Sequence, residues 1–263
     1  MSQAWEWWSG LLVALAGRGL RAEDFIRQAT VDGPVLEIGP FVSPRLVGEH
    51  VRYFDLLDTD GLNARAARKG LPQTAPRIDY VSASGDLSGV PGPFAVVFSA
   101  HCIEHQPDLV DHLRAIERLL RPGGRYLLIA PDKRYCMDHF LPESTVAAVI
   151  DAHLGSARRH GARSIIEHRA LTTHNSPRRH WRGDHGRPGP DPERLKAAMA
   201  EVASGRSSDV HAWTFTPQSF RVLIEALGHA GLTGLSVEAV HATPYGRGEF
   251  CAVLRKPQGA SLS

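Results

Sequence analysis

The stretch that decides the fold is Val35-Leu36-Glu37-Ile38-Gly39-Pro40, an apolar run that ends in an acid and a glycine. This pattern predicts a first parallel strand followed at once by a tight loop. Glycine lets a backbone approach a ligand closely, and a carboxylate accepts hydrogen bonds from an amine or a hydroxyl. Because Gly39-Pro40 also marks ordinary turns, the weight of this stretch comes from what surrounds it.

Apolar runs of strand length recur after this first one, with helical stretches between them. They cover residues 51–54, 78–81, 94–99 and 126–130. Between the last two runs, leucines and an isoleucine from Leu109 to Leu120 fall at helical spacing and form one apolar face. Near-continuous apolar strands that alternate with amphipathic helices are typical of a parallel sheet covered on both faces.

The end of the chain adds a helix and two more strands. Thr216 can cap a helix that has Pro217 in its first position. Strands at about 234–240 and 249–255 are joined by Tyr245-Gly246-Arg247-Gly248, which predicts a closing antiparallel hairpin. The fold class predicted is α/β, with a Rossmann-like, mostly parallel seven-stranded sheet and helices on both faces.

The region between residues 135 and 210 breaks the alternation of strands and helices. It is rich in Arg, His, Gly and Pro and has no clear strand. We therefore divide the chain into an N-terminal helical segment (1–30), a core (31–134 and 211–256) and an inserted cap (135–210). Because the insertion follows the fifth strand, it should lie over the carboxyl edge of the sheet, where ligands of open α/β sheets bind.

Composition limits the classes of partner. The chain has 263 residues, 43% hydrophobic and 22% charged, with a net charge of +2. This near-neutral balance and the lack of an aromatic-interleaved basic motif argue against nucleic acid. The apolar run 11–16 is too short to cross a bilayer and lacks a basic leader, so we expect no membrane partner. Three cysteines without a CxxC pair leave one unpaired, which favours the reducing cytoplasm.

Five short motifs stand at the ends of the predicted strands. They are Leu36-Glu37-Ile38-Gly39, Asp55, Gly85-Asp86-Leu87, the run Ser99-Ala100-His101-Cys102-Ile103-Glu104-His105, and Leu119-Leu120-Arg121-Pro122-Gly123-Gly124-Arg125. In this order they resemble the class I S-adenosylmethionine-dependent methyltransferases of the small "type 11" sort, over about residues 30–134 and 211–256. Pro40-Phe41-Val42 departs from that family, which has more glycine there. The resemblance implies S-adenosyl-L-methionine as cofactor and a methyl-transfer activity.

The resemblance also implies which residues hold the methionine and ribose parts of the cofactor. Glu37, Gly39 and Pro40 would face the methionine part. Asp55, with Leu56 beside it, would accept hydrogen bonds from the ribose hydroxyls. Asp58 is the alternative if the second strand ends later.

The resemblance assigns the contacts with the adenine and the sulfonium to other residues. Asp86 would accept a hydrogen bond from the adenine amino group, and Leu87 would lie against the ring. The residues expected beneath the sulfonium are Ser99, Ala100 and His101.

The inserted cap carries many histidines and arginines. Arginine presents a fork of donors to carboxylate or phosphate, so we expect a small-molecule or glycan acceptor that is anionic or polyhydroxylated. A hydroxyl acceptor benefits from a base near pH 7, and the candidate bases are His139, His180, His185 and His101. O-methylation is predicted, with N-methylation of a small molecule or peptide as the alternative. A divalent metal is an option, but no metal site is predicted.

Two rival interpretations stay open. The run His101-Cys102-Ile103-Glu104-His105 spells H-x-x-E-H, a motif of zinc peptidases. It follows a buried strand and precedes Pro107, so a helix there would have at most one turn, and we rank this interpretation lower. The other rival is a catalytically silent, cofactor-binding protein that binds a partner through the cap. A homodimer is a further option.

Overall fold

The computed structural model describes residues 19–29, 32–206 and 208–259. The expected N-terminal helical segment over 1–30 therefore falls largely outside the described residues. Its described part contains helix α1 (Ala22–Ile26) and a 3₁₀ turn (Arg27–Ala29). Phe25 of α1 is fully buried against one face of the sheet, where it packs in the same cluster as Leu127 and Val253.

A seven-stranded sheet forms the centre of the fold. Its strands are β1 (Val35–Ile38), β2 (Val51–Asp55), β3 (Tyr80–Val81), β4 (Phe94–Ala100), β5 (Leu120–Pro131), β6 (Ser236–His241) and β7 (Glu249–Arg255). They lie in the order β3-β2-β1-β4-β5-β7-β6. Strands β1 to β5 pair in parallel, whereas β7 is antiparallel to both β5 and β6. The predicted mostly parallel sheet with a closing hairpin is confirmed.

The central strands β1 and β4 are buried over nearly their whole length because both faces of the sheet are covered. Neighbouring residues on a strand point to opposite faces, and the two faces contribute to separate clusters. Leu36, Val97 and Leu128 belong to one cluster, whereas Val96 and Leu127 belong to the other. A sheet buried in this way fixes the strand ends and leaves the loops beyond them to build a site.

Helices connect the strands and cover the sheet. They are α2 (Thr59–Arg68), α3 (Leu109–Leu119), α4 (Val146–Leu154), α5 (Ala162–Ala170), α6 (Pro177–His180), α7 (Pro192–Ala203) and α8 (Pro217–His229). As predicted, Thr216 caps α8: its side chain accepts a hydrogen bond from the backbone N–H of Ser219, which answers with the reciprocal bond of a capping box. Within the described ranges, every helix is too short or too polar to cross a lipid bilayer.

The segment inserted after β5 is helical. Helices α4 to α7 lie within it, and its described residues contain no strand, as expected. An ion pair between Arg169 of α5 and Glu201 of α7, with 2.9 Å from Nε to the carboxylate, joins two of these helices. That the segment covers an acceptor stays a prediction.

The strand order also fixes where a ligand can enter. From β1 the chain proceeds to β2 and β3 on one side, and then crosses to β4 on the other side of β1. The connections therefore diverge at the carboxyl ends of β1 and β4. A crevice at such a switch point is where ligands of open α/β sheets bind.

Candidate functional site

A cavity of about 290 Å³ opens at the carboxyl ends of β1, β2 and β4. The loop after β1, the end of β2, the segment before β4 and the turn after β4 all contribute walls. The residues that line the cavity include Gly39, Phe41, Phe54, Asp55, Leu56, Arg65, Gly85, Leu87, His101, Cys102, His105, Gln106, His112 and Asp209. The walls are thus apolar near the sheet and charged on the side of His105 and Asp209.

Gly39 lets the loop after β1 pass close to the turn after β4. Its φ is +72°, and a Cβ atom at this position would lie 2.7 Å from Sγ of Cys102. Since real Cβ contacts are longer, only glycine fits here without a shift of its neighbours. Phe41 also adopts a left-handed conformation, with φ of 49°. Its N–H donates to Oδ2 of Asp55 at 3.1 Å, which ties this loop to the end of β2.

Asp55 is the carboxylate that faces the cavity. It is 9% exposed, and Oδ1 accepts a hydrogen bond from the Leu56 N–H at 2.7 Å. Burial raises the pKa of Asp55, although its backbone hydrogen bonds lower it. A carboxylate has about four lone-pair sites, so acceptor capacity remains on the cavity side. The alternative, Asp58, instead caps α2 by accepting from the Gly61 N–H at 2.8 Å.

Glu37 lies behind the cavity rather than on its wall. It is 2% exposed, and its carboxylate accepts from the backbone N–H groups of Arg45 and Leu46 at 2.8 and 2.9 Å. Burial raises the pKa of Glu37, and the two backbone hydrogen bonds oppose that rise. Pro40 is likewise buried and absent from the wall. The structure thus uses Glu37 to hold the loop after β1, which differs from the predicted contact with the methionine part.

Asp86 also departs from its predicted place. Its side chain is exposed, and its oxygens accept hydrogen bonds from the N–H and Oγ of Ser88 at 2.8 and 2.7 Å. These hydrogen bonds lower the pKa of Asp86. Its neighbours Gly85 and Leu87 line the cavity, but Asp86 itself does not. Leu87 thus lies on the cavity wall and Asp86 points away from it, and the contacts predicted for these two residues with the adenine stay predictions.

Of the three residues predicted beneath the sulfonium, only His101 lines the cavity. Ser99 is fully buried, with its Oγ 2.7 Å from the Tyr126 hydroxyl. Ala100 is half-buried and lies outside the lining. Strand β4 therefore buries the Ser99 side chain, and the wall begins at His101, two residues later than expected.

His101 is held by two carboxylates. Its Nε2 lies 2.8 Å from Oε2 of Glu249, and its Nδ1 lies 3.6 Å from Oε1 of Glu104. Burial by itself would lower the pKa of His101, but its hydrogen bond to Glu249 and the negative charges of Glu104 and Glu249 raise it to about 10. A ring that is already protonated at neutral pH cannot accept a proton. The structure therefore removes His101 from the candidate bases.

The three candidate bases of the cap lie together, away from the cavity. One donor atom from each of His139, His180 and His185 lies within 4.8 Å of the others, and we call these three residues the cap trio. Nδ1 of His139 donates to the carbonyl of Arg134 at 2.8 Å, and Nε2 of His180 donates to the carbonyl of His174 at 3.0 Å. Burial lowers the pKa of both His139 and His180. None of the three borders the cavity.

The residues that sequence reasoning missed sit on the charged wall. Asp209 bridges two groups: Oδ1 lies 3.0 Å from Nδ1 of His105, and Oδ2 accepts from the Arg65 guanidinium at 2.9 Å. These contacts hold the pKa of Asp209 well below its usual range. The H-x-x-E-H run was the available signal for His105, but nothing local pointed to Asp209 as its partner.

His112 is the other missed residue. It is a buried histidine on α3, with Nε2 3.3 Å from the Tyr126 hydroxyl, and it borders the cavity. Burial lowers the pKa of His112 to about 4. The ring is thus neutral at pH 7 and can donate or accept a single hydrogen bond at each nitrogen.

This lowered pKa predicts an acid-sensitive stability. An unfolded histidine binds a proton below about pH 6.5, whereas folded His112 stays neutral down to about pH 4. The free energy of unfolding should therefore fall as the pH drops between these values, by at most about 1.4 kcal/mol per pH unit from this group. We expect a shallower fall for His112→Gln in denaturant unfolding across this range, with the exposed His229→Gln as control. Equal slopes for wild type and His112→Gln would contradict the assignment.

Part of the chain is similar in sequence to a known family. Residues 45–128 match the family model described as a methyltransferase domain. No curated protein matches the chain significantly. A solved structure of the methyltransferase CcbJ from Streptomyces caelestis is 15% identical, with a TM-score of 0.46, and the alignment covers 89% of this chain and 93% of that one.

Two further solved structures are similar to the chain at the same low level. An S-adenosylmethionine-dependent methyltransferase from Mesorhizobium loti is 16% identical over 88% of this chain and 95% of that one, with a TM-score of 0.42. A methyltransferase from Aquifex aeolicus is 11% identical over 89% and 88%, with a TM-score of 0.43. The match over residues 45–128 supports the expected class I S-adenosylmethionine-dependent methyltransferase family.

Proposed function

We propose that this methyltransferase transfers the methyl group of S-adenosylmethionine to a hydroxyl of a small molecule or glycan. The observation that carries the proposal is the cavity at the ends of β1, β2 and β4, with Asp55 on one wall and His105 and Asp209 on another. One wall offers acceptors for ribose hydroxyls, and the other offers polar groups for an acceptor. Methyl transfer is an in-line displacement, so holding the two substrates in line supplies much of the acceleration.

The residues on the wall suggest how the cofactor lies. Asp55 would take the ribose hydroxyls, and Gly39 would let the methionine part pass close to the backbone. Leu87 and Phe54 supply apolar surface for the adenine.

The part of the cavity that we assign to the acceptor is lined by charged side chains. Arg65 and Lys69 line the cavity together with Asp209, and the cap beyond carries further arginines. Such a wall supports the predicted anionic or polyhydroxylated acceptor, because guanidinium groups donate in pairs to carboxylates, phosphates and vicinal oxygens. The cap trio lies away from the cavity and His101 is held by two carboxylates, so we assign the orientation of the acceptor hydroxyl to His105 and Asp209 on the cavity wall.

Location and partners remain proposals of the same kind. Cys102, Cys136 and Cys251 are all free, which supports a reducing compartment such as the cytoplasm. The net charge of +2 supports neither a nucleic-acid nor a membrane partner. A homodimer stays a prediction from sequence.

The test is calorimetric titration of the full chain with S-adenosylmethionine and S-adenosylhomocysteine, followed by turnover with a panel of hydroxyl and amine acceptors. We expect one site per chain with micromolar affinity, and release of S-adenosylhomocysteine with a hydroxyl acceptor. Absence of cofactor binding would contradict the proposal. Turnover only with amines would replace O-methylation by N-methylation, and binding without any turnover would favour the catalytically silent interpretation.

A further inference from the structure

A buried group of acids and histidines lies beside the charged wall of the cavity. Glu104 is 1% exposed, and neither of its carboxylate oxygens has a hydrogen-bond partner among the described residues. The nearest positive groups are Nδ1 of His101 at 3.6 Å and Nε2 of His105 at 3.9 Å from Oε1. Buried carboxylate oxygens are normally hydrogen-bonded or bound to a metal, so a carboxylate with only these two longer ion-pair contacts has capacity for a further ligand.

The segment after the cap brings a second histidine to Glu104. The backbone N–H groups of Ala212 and Trp213 donate to the carbonyl of Glu104 at 2.7 and 3.1 Å, which fixes the two segments against each other. As a result, one donor atom from each of Glu104, His105 and His211 lies within 4.8 Å of the others. We call these three residues the Glu104 cluster.

The two imidazoles of the Glu104 cluster are arranged as ligands of one ion would be. Their ring centres are 4.7 Å apart, and their planes are at 89°. With metal–nitrogen bonds of about 2.0 Å, and ring centres roughly 1 Å farther out, two histidines on one tetrahedral ion would have ring centres roughly 5 Å apart. The observed separation agrees with that value.

A carboxylate lies beside Nδ1 of both rings, hydrogen-bonded to His211 and in ion-pair contact with His105. Nδ1 of His105 lies 3.0 Å from Oδ1 of Asp209, and Nδ1 of His211 lies 2.6 Å from Oδ2 of Asp138. Metal-binding histidines commonly use their second nitrogen in this way, because the contact fixes the tautomer and the ring orientation. Here it leaves Nε2 of each ring free. Asp138 is itself 1% exposed.

We propose that Nε2 of His105, Nε2 of His211 and the carboxylate of Glu104 form a site for a divalent transition-metal ion such as zinc. Imidazole nitrogens with one carboxylate are a donor set that zinc and its neighbours accept. His105 borders the cavity, so a fourth position faces the space that we assign to the acceptor. This role rests on the proposed function: an acceptor hydroxyl bound there would lose its proton more readily.

The cap trio is a competing site, and its geometry fits an ion less well; a third group, Asp138, His168 and His211, shares His211 with the Glu104 cluster. The rings of His139 and His185 are stacked, with centres 3.8 Å apart and planes at 9°. Stacked rings direct their nitrogens side by side rather than toward a common point. The trio therefore serves as the matched control for the Glu104 cluster.

The experiment uses the full chain, stripped with a chelator and titrated with zinc in competition with a chromophoric chelator. We expect one ion per chain with a dissociation constant below about 1 μM. Cobalt, added instead, should give the visible absorption of a tetrahedral or five-coordinate site. We expect Glu104→Gln and His211→Gln to weaken zinc binding by at least tenfold and Asp138→Asn by about tenfold, and His185→Gln to leave it unchanged.

The outcomes separate the metal site from the proposed function. Wild-type protein that binds no stoichiometric zinc would overturn the site, and this result needs no folded variant. Loss of zinc in His185→Gln with retention in Glu104→Gln would overturn it in favour of the cap trio. The same stripped sample is titrated with S-adenosylmethionine. Cofactor binding without zinc binding overturns only the metal site, and zinc binding without cofactor binding overturns only the methyltransferase proposal.

Discussion

Asp55→Ala is expected to weaken the binding of S-adenosylmethionine by about 1–3 kcal/mol, which raises the dissociation constant roughly 5- to 150-fold. Asp55 is the nearly buried carboxylate on the cavity wall, and its oxygens already accept the N–H groups of Leu56 and Phe41. Alanine would leave the ribose hydroxyls without an acceptor in a site where water cannot fully replace it. Titration calorimetry with S-adenosylmethionine measures the change directly.

Asp58→Ala is the matched control for Asp55→Ala. Asp58 lies three residues farther along and caps α2, so its loss should cost about 1 kcal/mol of stability and leave cofactor affinity unchanged. Asp55→Asn should fall between wild type and Asp55→Ala, because the amide keeps one acceptor oxygen. Unchanged affinity in folded Asp55→Ala would show that another group holds the ribose.

The fold could be predicted from sequence because burial on both faces of a sheet makes its strands uniformly apolar. The boundaries were less accurate. Residues 121–124 suggested a turn before the fifth strand, since Arg-Pro-Gly-Gly is a turn composition, but the structure continues β5 from Leu120 to Pro131. On the β4 side, however, the pairing passes directly from Leu120 to Arg125, so residues 121–124 form a bulge in the strand. The third strand is shorter than predicted and begins at Tyr80.

Only those features of the site that depend on residues close together in the sequence could be predicted. The sequence shows that a carboxylate follows a strand. It does not show whether backbone N–H groups of a nearby segment already donate hydrogen bonds to the oxygens of that carboxylate. Asp86 is engaged by Ser88, two residues away, and Glu37 by a loop eight and nine residues away. The Glu104 cluster is still harder to predict from sequence, because its His211 is hydrogen-bonded to Asp138, which lies 73 residues earlier in the chain. No spacing rule connects residues on either side of such an insertion.

Glu37→Ala is expected to destabilise the protein by about 3 kcal/mol. The carboxylate accepts the N–H groups of Arg45 and Leu46 from a buried position, and a hydrogen bond to a charged group contributes about 1.5–3 kcal/mol. Removing the Glu37 carboxylate leaves two N–H groups without an acceptor. It also loosens the loop after β1, in which the Phe41 N–H donates to Asp55. Chemical denaturation measures the loss, with the exposed Glu49→Ala as control, for which we expect a change within about 0.5 kcal/mol.

Glu37→Gln decides between the two roles of this residue. The amide keeps one acceptor oxygen but turns an NH₂ group toward the second backbone N–H, so we expect about half the loss of stability seen in Glu37→Ala. Cofactor affinity of the folded variant should then fall only as far as the loop is disturbed, by less than about tenfold. If Glu37 instead contacts the ammonium group of the cofactor, the missing charge would cost affinity and leave stability nearly intact. The ratio of these two losses, measured on one preparation, separates a carboxylate that positions the loop from one that binds the ligand.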